Sequence, residues 1–370
     1  MEFTVAKSDL VRELGLTQGV IEKRTTIPIL SNILIEASGD QITLTATDLE
    51  LGLRCSCPAT VKKPGSGTIP ARRLLDYTRL LPASEVNVKF GDNQWVSLVC
   101  GRSRTRIAGM SRESYPELPQ MSEKIAEIPA SILASMISQT IFAISNEESR
   151  FTLNGALMVL KPEALVLVAT DGHRLAMVEQ PVNFGLGTQY RALLPRKAMG
   201  EIQKLAAEAG ADTKLNFAAT DNHLFCQVGE RLLISRKLTG NFPDYERVLP
   251  RDQPNQVVLN RDEFRAAIER VAQFADERSH AVRMKVEPGE VTVHSSLSET
   301  GESEESVATA YSGPSVEIGF NAFYMLDFLR ATPETEVGFH FKDAGAAGEL
   351  RPAGQDVNYK YRYVIMPMRI

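Results

Sequence analysis

The feature that most constrains the fold of this 370-residue chain is a pattern that occurs three times. Residues 42–48 read Ile-Thr-Leu-Thr-Ala-Thr-Asp, and residues 165–171, about 123 positions later, read Leu-Val-Leu-Val-Ala-Thr-Asp. Residues 291–296 form a fainter third copy. Self-similarity at a fixed spacing indicates one structural unit that is repeated along the chain. The sequence therefore predicts three related domains.

The same elements follow each copy in the same order. A strand leads into a helix, and a further strand-like run comes after the helix. Pro70 and Pro195 suit the first turn of the helices in the first two repeats, because a missing N–H costs nothing there. The strand-to-helix segments are 67–75, 190–199 and 316–325, and the later strand-like runs are 86–90, 214–217 and 336–341.

The repeats also begin and end alike, which fixes the domain boundaries. Each begins with apolar residues at helical spacing, and Asn260 with Glu263 resembles a capping box at the third of these helices. The first two repeats close with an aromatic–proline–acid turn, and polar, proline-flanked linkers follow at 121–128 and 250–257. The prediction is an α+β fold in which each domain packs two helices on mostly antiparallel strands. The predicted domains are 1–122, 123–253 and 254–370.

The second copy of the pattern predicts a β-hairpin. Residues 165–170 are β-branched and apolar, Asp171-Gly172 is a strong turn pair, and residues 175–178 resume the apolar run. The tip would present Thr170, Gly172, His173 and Arg174 at a surface. A lone histidine at such a tip is more often a surface or structural residue than a catalytic one.

Composition excludes several classes of protein. The chain is 43% apolar and 24% charged, which is typical of a globular protein, and no apolar run approaches the length of a membrane helix. We therefore expect a cytoplasmic protein. The spacing of the four cysteines fits neither a disulfide framework nor a zinc site, and no cofactor is expected. The net charge of −5 argues against bulk attraction to nucleic acid but allows a local basic surface.

An enzyme is the first alternative class. Asp48, Asp171 and His173 could form an acid/base group, and Ser103 or Ser145 could serve as a nucleophile. However, the sequence contains no Gly-rich phosphate loop, no set of metal-spaced ligands and no nucleophile-elbow motif. Asp48 and Asp171 occupy equivalent turns in two repeats, which favours a turn-forming role. The sequence therefore predicts a non-catalytic protein.

Several short motifs lie in a fixed order along nearly the whole chain. They are Ile27–Ile33 after Arg24, Thr47–Glu50, Gly101–Arg104, Leu153–Gly155, Ala169–Ala176, Phe242–Tyr245, Arg247–Pro250, Ile318–Asn321 and Val364–Ile370. Each motif alone is weak, but together and in this order they are specific. The chain resembles the bacterial DNA polymerase III beta subunit, the sliding clamp.

The resemblance implies a processivity factor for DNA replication. Its three clamp domains would close, as a head-to-tail homodimer, into a six-domain ring around double-stranded DNA, with helices lining the hole. Sequence-blind phosphate contacts suit a protein that must hold DNA and still move along it. Scattered basic residues on helices are also common in proteins that bind no DNA. The residues that the resemblance assigns to the channel are Arg24, Arg72, Arg73, Arg196 and Lys197.

The resemblance also implies a pocket between the second and third domains. It would accept short linear motifs from the DNA polymerase III alpha subunit, the clamp loader delta subunit, other polymerases and mismatch-repair proteins. Apolar residues would form its hollow and polar residues its rim. One wall is assigned to Leu153, Thr170, Gly172, His173, Arg174, Leu175, Pro243, Arg247 and Val248. The other is assigned to Asn321, Tyr324, Val364, Met366, Pro367, Met368 and Arg369.

The chain departs from the family pattern beside this pocket and at the dimer interface. Ser279 stands where a large apolar residue is expected, and the Ala- and Gly-rich stretch 344–348 replaces a more branched segment. Ile107 and Phe274 are the apolar candidates for the dimer interface. The acidic residues Glu299, Glu302, Glu304 and Glu305 read most simply as a solvated loop. A repeat-built scaffold that binds peptides but no DNA remains the second alternative.

Overall fold

The computed structural model describes residues 1–22, 26–210, 212–297, 301–354 and 357–369. These residues form two compact units. Unit 1 consists of Met1–Ala134 with Lys197–Lys237, and unit 2 consists of Ser135–Arg196 with Leu238–Ile370. Throughout the described residues the strands pair antiparallel. The predicted α+β class is confirmed.

Three repeats of one element order are present: a strand, a helix, a three-stranded meander, a strand, a second helix and three more strands. The first repeat carries one additional short strand, β5. Its elements are β1 (Glu2–Ala6), α1 (Lys7–Thr17), β2 (Asn32–Ser38), β3 (Gln41–Thr47), β4 (Leu51–Pro58), β5 (Thr60–Lys63), β6 (Gly65–Pro70), α2 (Ala71–Leu80), β7 (Glu85–Phe90), β8 (Trp95–Cys100) and β9 (Ser103–Ala108).

The second repeat follows the same order without the additional strand. Its elements are β10 (Lys124–Pro129), α3 (Ala130–Ser138), β11 (Gly155–Lys161), β12 (Ala164–Thr170), β13 (Arg174–Pro181), β14 (Tyr190–Pro195), α4 (Arg196–Ala207), β15 (Lys214–Ala219), β16 (His223–Val228) and β17 (Arg231–Arg236). A single helical turn, α5 (Tyr245–Val248), comes after it.

The third repeat completes the chain. Its elements are β18 (Asn255–Asn260), α6 (Arg261–Val271), β19 (Ala281–Glu287), β20 (Glu290–Leu297), β21 (Gly301–Ala308), β22 (Val316–Asn321), α7 (Ala322–Ala331), β23 (Glu336–Phe341), β24 (Gly348–Ala353) and β25 (Lys360–Ile365).

The repeats are joined by strand pairing. Unit 1 contains the sheets β5-β1-β7-β8-β9 and β10-β15-β16-β17-β4-β3-β2-β6. Unit 2 contains the sheets β14-β11-β12-β13-β25-β24-β23-β18 and β21-β20-β19-β22. The last strand of one repeat therefore pairs with the third meander strand of the repeat before it, as β17 does with β4 and β25 does with β13.

Several predicted elements are confirmed and others differ. The hairpin forms from β12 and β13, and Asn260 caps α6 by accepting hydrogen bonds from the N–H groups of Asp262 and Glu263. Pro70 and Pro195 lie immediately before their helices rather than inside the first turn. The linkers are shorter than predicted, because residues 124–128 and 255–257 pair as strands β10 and β18. The domain boundaries stay a prediction.

The acidic stretch of the third repeat is a strand rather than a solvated loop. Glu302, Glu304 and Glu305 lie on β21, which pairs with β20 along its whole length, and Glu299 lies outside the described residues. Sequence alone favours a loop because acidic residues are depleted in strands. Pairing with β20 supplies backbone hydrogen bonds that override this preference.

One buried ion pair joins the first two repeats within unit 1. The Glu13 carboxylate on α1 is 2% exposed and accepts two hydrogen bonds, of 2.9 and 2.7 Å, from the guanidinium of Arg231 on β17. Burial raises the pKa of Glu13, but the hydrogen bonds from Arg231 and Arg12 outweigh burial and lower it. Glu13 is therefore charged at neutral pH and depends on Arg231 for compensation.

Replacing Arg231 with methionine is expected to lower the free energy of unfolding by about 3 kcal/mol at pH 7.5, because the buried carboxylate loses two hydrogen bonds and keeps only its contact with the more exposed Arg12. The pKa of Glu13 is lowered in the folded wild type, so the pair stabilises the protein above the ordinary carboxylate pKa and less as pH falls. The difference between variant and wild type should therefore shrink toward pH 4.

Urea denaturation at both pH values measures this difference. The control is Arg236→Met, which removes a pair with Glu50 whose side chains are 57% and 67% exposed. That change should cost under about 1 kcal/mol. Equal losses in the two variants would contradict the assignment of Glu13–Arg231 as the stabilising pair.

Candidate functional site

The tip of the β12–β13 hairpin is held by its own side chains. The Thr170 hydroxyl donates to the Arg174 carbonyl oxygen (2.6 Å) and accepts from the Gly172 N–H (3.1 Å). Asp171 Oδ1 accepts from the N–H groups of His173 (2.9 Å) and Arg174 (3.0 Å). Gly172 has φ +91°, a conformation that favours glycine. The tip is therefore a fixed surface, with Gly172 and His173 exposed and Thr170 buried.

The Arg174 side chain is largely buried and bonded to other residues, and it does not lie at the rim of the site. Its side chain is 9% exposed, bonded to Asp171 (3.0 Å) and ion-paired to Asp327 on α7. A third hydrogen bond goes to the carbonyl oxygen of Phe142 (2.6 Å), and the guanidinium lies 4.2 Å from the ring of Tyr324. Burial lowers the pKa of Arg174, but its neighbours outweigh burial and raise it. Arg174 thus fixes the second repeat against α7 of the third.

The C-terminal segment lies beside this hairpin. Strands β13 and β25 pair with Leu175 opposite Val364, and the Met366 N–H then donates to the His173 carbonyl oxygen (3.0 Å). Further on, the Met368 N–H donates to the Gly319 carbonyl oxygen (2.8 Å). Met366 is 41% exposed, Pro367 and Met368 are half-buried, and Arg369 is exposed. The segment therefore presents a mainly apolar edge next to His173.

An apolar floor lies under the hairpin and α5. Leu175 and Val364 are each 1% exposed and share one buried cluster with Tyr245 of α5. Val248 is 36% exposed, and the exposed Arg247 is ion-paired with Asp244 at 2.9 Å. An open groove of about 530 Å³ continues from α5; its lining residues are Arg247, Val248, Leu249, Pro250, Arg251, Asp252, Gln253, Lys342, Ala346 and Ala347.

The third repeat closes the far side of the site. Asn321 caps α7 by accepting from the N–H groups of Phe323 (2.9 Å) and Tyr324 (3.3 Å), and its amide donates to the Ser279 carbonyl oxygen (3.1 Å). Sequence reasoning missed Phe323, which is 44% exposed and packs its ring 4.4 Å from His280. A large apolar residue in the first turn after the helix-capping Asn321 was the available signal.

The predicted pocket residues all belong to unit 2, and their assignment to one pocket stays a prediction. Leu153 is half-buried in a one-turn 3-10 helix that begins beside Arg150, whose guanidinium donates to the Asp171 carbonyl oxygen (2.8 Å). Pro243 is exposed at the start of the turn that leads into α5. The set that the resemblance predicts is called the peptide pocket below: Leu153, Thr170, Gly172, His173, Arg174, Leu175, Pro243, Arg247, Val248, Asn321, Tyr324, Val364, Met366, Pro367, Met368 and Arg369.

The predicted basic residues differ in their exposure and in whether another side chain binds them. Arg72 and Arg73 are exposed on α2, with Arg72 only 3.8 Å from Asp76. Arg196 donates to Asn146, and Lys197 is ion-paired with Asp48, whose side chain is 6% exposed. Arg24 lies outside the described residues. Arg72 and Arg73 are therefore better placed than Lys197 to contact a phosphate.

The two interface candidates are less exposed than a free apolar patch would be. Ile107 on β9 is 4% exposed and belongs to the core of unit 1. Phe274 is half-buried and lies against Gly301 at the start of β21. Ile107 can therefore meet a partner only through the backbone edge of β9.

The two aspartates considered for catalysis, Asp48 and Asp171, stabilise turns. Asp48 Oδ1 accepts hydrogen bonds from the N–H groups of Glu50 (2.9 Å) and Leu51 (2.6 Å), as Asp171 does in its own turn. All four cysteines are free and buried, and burial raises the pKa of Cys57 and Cys226 to about 12. In the described part of the chain, no group of three His, Cys, Asp or Glu side chains is placed to hold a metal ion.

Among the helices that the structure describes, none is long and apolar enough to span a membrane. The predicted cytoplasmic location stays a prediction.

Comparison with known proteins gives one consistent family. Residues 1–119, 127–244 and 246–369 match the N-terminal, central and C-terminal domains of the DNA polymerase III beta subunit. The beta sliding clamp of Caulobacter vibrioides is 36% identical over 379 residues, with both chains fully covered. The Pseudomonas aeruginosa DNA polymerase III subunit beta matches with a TM-score of 0.94 at 33% identity, both chains being fully covered.

A second solved structure bears on the site. The Caulobacter crescentus beta sliding clamp matches with a TM-score of 0.92 at 34% identity, and both chains are fully covered. That protein carries polyethylene glycol at its proposed beta-motif tethering region.

Proposed function

The chain belongs to the bacterial DNA polymerase III beta subunit family, and from this membership we propose a head-to-tail dimeric ring that encircles duplex DNA and tethers partners through the peptide pocket. Its function is that of a sliding clamp, a non-catalytic processivity subunit. The observation that carries this conclusion is the match of all three repeats, in order, over the full chain.

The strand edges of the chain support a head-to-tail dimer. The pairings β17–β4 and β25–β13 each join a repeat to the one before it. Among the described strands, the corresponding ones without such a partner are β9 in the first repeat and β21 in the third, and both lie at the edges of their sheets. Pairing β9 of one copy with β21 of another repeats the internal junction and satisfies two open edges.

Charge complementarity supports the same pairing. The register of the β17–β4 junction places Leu232 opposite Arg54 and Ile234 opposite Gly52. In their own repeats, β9 and β21 occupy the places of β17 and β4. If β9 and β21 pair in the same register, Arg104 lies opposite Glu304 and Arg106 lies opposite Glu302. Opposite charges that face each other across antiparallel strands stabilise the pairing.

One face of α2 is exposed where the equivalent face of α4 is buried. Counted from Pro195, the α4 residues Ala198, Glu201, Ile202 and Leu205 are all buried. Near this face, a Cβ at Gly19, just beyond the end of α1, would collide with the Glu201 carboxylate. Leu80 on α2 lies as far after Pro70 as Leu205 on α4 lies after Pro195. Leu205 is buried, whereas Leu80 is 87% exposed. We infer that α6 of a second copy and the segment after it cover Leu80, because the segment after α1 meets α4 at Glu201 in the equivalent place.

DNA contact is assigned to the basic residues of α2 and α4. Arg72 and Arg73 are exposed, and within the described residues the Arg196 guanidinium donates to the side-chain amide oxygen of Asn146. A few mobile cations attract phosphates without reading the base sequence. Arg24 and Lys197 complete the proposed channel set, with Lys197 contributing less because Asp48 holds it.

Replacing Arg72 with alanine is expected to reduce the salt dependence of DNA binding. Each phosphate contact that is lost should lower the slope of log K against log salt by about 0.9. Fluorescence anisotropy with a labelled duplex, from 50 to 200 mM salt, measures this slope. Arg283→Ala, which removes an exposed arginine on strand β19, is the control and should leave the slope unchanged. An unchanged slope in Arg72→Ala would remove Arg72 from the channel.

The peptide pocket is proposed as the tethering site for the DNA polymerase III alpha subunit, the clamp loader delta subunit, other polymerases and mismatch-repair proteins. Support comes from the exposed apolar residues Met366, Val248 and Phe323 and from the buried apolar cluster that contains Leu175, Val364 and Tyr245. Methionine adapts to different apolar partners, which suits a pocket that serves several proteins.

Retention on circular DNA tests the proposed function. The protein is loaded onto a nicked plasmid with a clamp loader and ATP, separated by gel filtration, and the plasmid is then linearised. A sliding clamp should stay on the circle and leave the linear form. If the protein is never retained while a known clamp loads normally, a peptide-binding scaffold would be the better description. Retention on both forms would indicate ordinary electrostatic binding.

A further inference from the structure

The first repeat contains a polar counterpart of the apolar floor under the peptide pocket. In the second repeat, Leu157, Val168 and Met177 lie in one row across β11, β12 and β13. In the first repeat, the equivalent row across β2, β3 and β4 is Leu34, Thr45 and Arg54. Each residue in the first repeat lies 123 positions before its counterpart in the second. The two rows are therefore equivalent surfaces, one polar and one apolar.

The next row repeats the contrast. Val159 pairs with Val166 in the second repeat, whereas Glu36 pairs with Thr43 in the first. The apolar version is filled, because the second-repeat residues pack into one buried cluster with Tyr245. The polar version leaves a pocket of about 400 Å³ between the sheet and the segment that follows β9. Its lining residues are Leu34, Glu36, Thr43, Thr45, Arg54, Arg112, Pro116, Glu117, Leu118 and Gln120.

Thr45 in this pocket has an unsatisfied hydroxyl. The residue is 3% exposed, and its Oγ1 has no hydrogen-bond partner among the described residues. A buried hydroxyl without a partner costs free energy, whereas valine at the same place, as in the second repeat, would cost none. The lone threonine is therefore explained if a ligand supplies the missing hydrogen bond.

The charges in the pocket indicate what the ligand offers. Arg112 lies 4.0 Å from Glu36, so these two charges compensate each other. Arg54 pairs with Thr45 in the β3–β4 ladder and lines the same pocket, and its guanidinium has no ion pair or hydrogen bond in the described part of the chain. Glu117 is exposed at the mouth. A guanidinium beside a hydroxyl is a donor set that suits a carboxylate.

We propose that this pocket binds an acidic side chain of an extended peptide, with its carboxylate between Arg54 and Thr45. The peptide nature of the ligand rests on the proposed function, because the equivalent surface of the second repeat supports the peptide pocket. The half-buried Leu118 and Pro116 then flank the peptide beside the carboxylate. The chain would thus carry two docking sites with different preferences, one apolar and one acidic.

Two matched peptides test this assignment: acetyl-Ala-Leu-Asp-Leu-Ala-amide and the same peptide with Asn in place of Asp. Each is titrated into the full-length protein by calorimetry. The Asp peptide should bind about tenfold tighter, since hydrogen bonds to a charged group are the stronger ones. Arg54→Met and Thr45→Val install the second-repeat residues at these positions. Arg54→Met should abolish the preference, and Thr45→Val should reduce it severalfold.

A stability measurement separates loss of binding from loss of folding. Thr45→Val removes an unsatisfied buried hydroxyl, so its melting temperature without peptide should equal or exceed that of the wild type. Addition of the Asp peptide should raise the melting temperature of the wild type but not of Arg54→Met.

The two docking sites are distinguished by a third variant. Met366→Asp alters the peptide pocket and should leave the preference for the Asp peptide unchanged. Equal binding of both peptides, an unaffected preference in Arg54→Met, or loss of the preference in Met366→Asp would each overturn the assignment. Failure of the proposed function would instead appear as loss of retention on circular DNA, with the preference for the Asp peptide intact.

Discussion

Replacing Leu80 with aspartate is expected to convert the dimer into monomers. Leu80 is 87% exposed in the single chain, so the change should leave folding almost unaffected. In the proposed dimer the same residue is covered by α6 of the partner copy, and an uncompensated carboxylate there costs several kcal/mol. In the proposed ring, the substitution acts at both interfaces. We therefore expect dimerisation to weaken by about a thousandfold or more.

Sedimentation equilibrium over nanomolar to micromolar concentrations measures this effect. Val258→Asp, which charges another exposed apolar residue, is the control and should remain dimeric. Phe274→Asp should also give monomers if Phe274 contributes to the same interface. A dimeric Leu80→Asp protein would contradict the proposed covering of α2.

The orientation of the interface has a separate test by charge exchange. Arg104→Glu with Arg106→Glu should weaken the dimer, because each glutamate would face Glu304 or Glu302 of the partner. Adding Glu302→Arg and Glu304→Arg to the same chain should restore dimerisation. Restoration requires these positions to face each other, so its failure would refute the transferred register.

Replacing Met366 with aspartate is expected to abolish tethering through the peptide pocket. Met366 is 41% exposed, and its backbone N–H is fixed by the His173 carbonyl oxygen, so its side chain is held at the edge of the apolar floor. A central apolar contact of this kind is typically worth 2 kcal/mol or more, or about thirtyfold in affinity. The added carboxylate must also be desolvated when an apolar peptide binds.

Fluorescence anisotropy with a labelled peptide that carries the clamp-binding motif of the DNA polymerase III alpha subunit measures the loss. Met110→Asp is the matched control, since Met110 is 37% exposed but lies in unit 1. Met366→Asp should still dimerise and still be retained on circular DNA when loading is achieved. Equal peptide affinity in the two variants would exclude Met366 from the pocket.

The sequence determined the repeat and most of its elements. The hairpin at 165–178, the strand runs at 86–90 and 336–341, and the Asn260 cap are local features, set by side-chain alternation and by turn and cap chemistry. Asp48 and Asp171 were predicted to shape turns, and each accepts the two backbone N–H groups that such a turn requires. Local interactions of this kind are readable because their partners are only a few residues apart.

The resemblance identifies the pocket residues, but the sequence does not show which of their side chains are buried or bonded to other residues. Arg174 was expected at the rim, yet Asp327 and Phe142 hold it inside. Phe323 and its contact with His280 were not anticipated. The acidic stretch at Glu302–Glu305 was read as a loop because its stabilising partner, β20, is not visible in local composition.

By itself, the sequence determined three similar α+β repeats, their element order and the family. Only the tertiary structure decided which side chains are free. Glu13 with Arg231, Lys197 with Asp48, and Arg174 with Asp327 are each more than 140 residues apart in the chain. In the same way, the structure shows that the Thr45 hydroxyl and the Arg54 guanidinium have no partner among the residues that it describes. Hydrogen bonding and burial depend on distances between remote segments, and those distances are fixed only when the sheets pair.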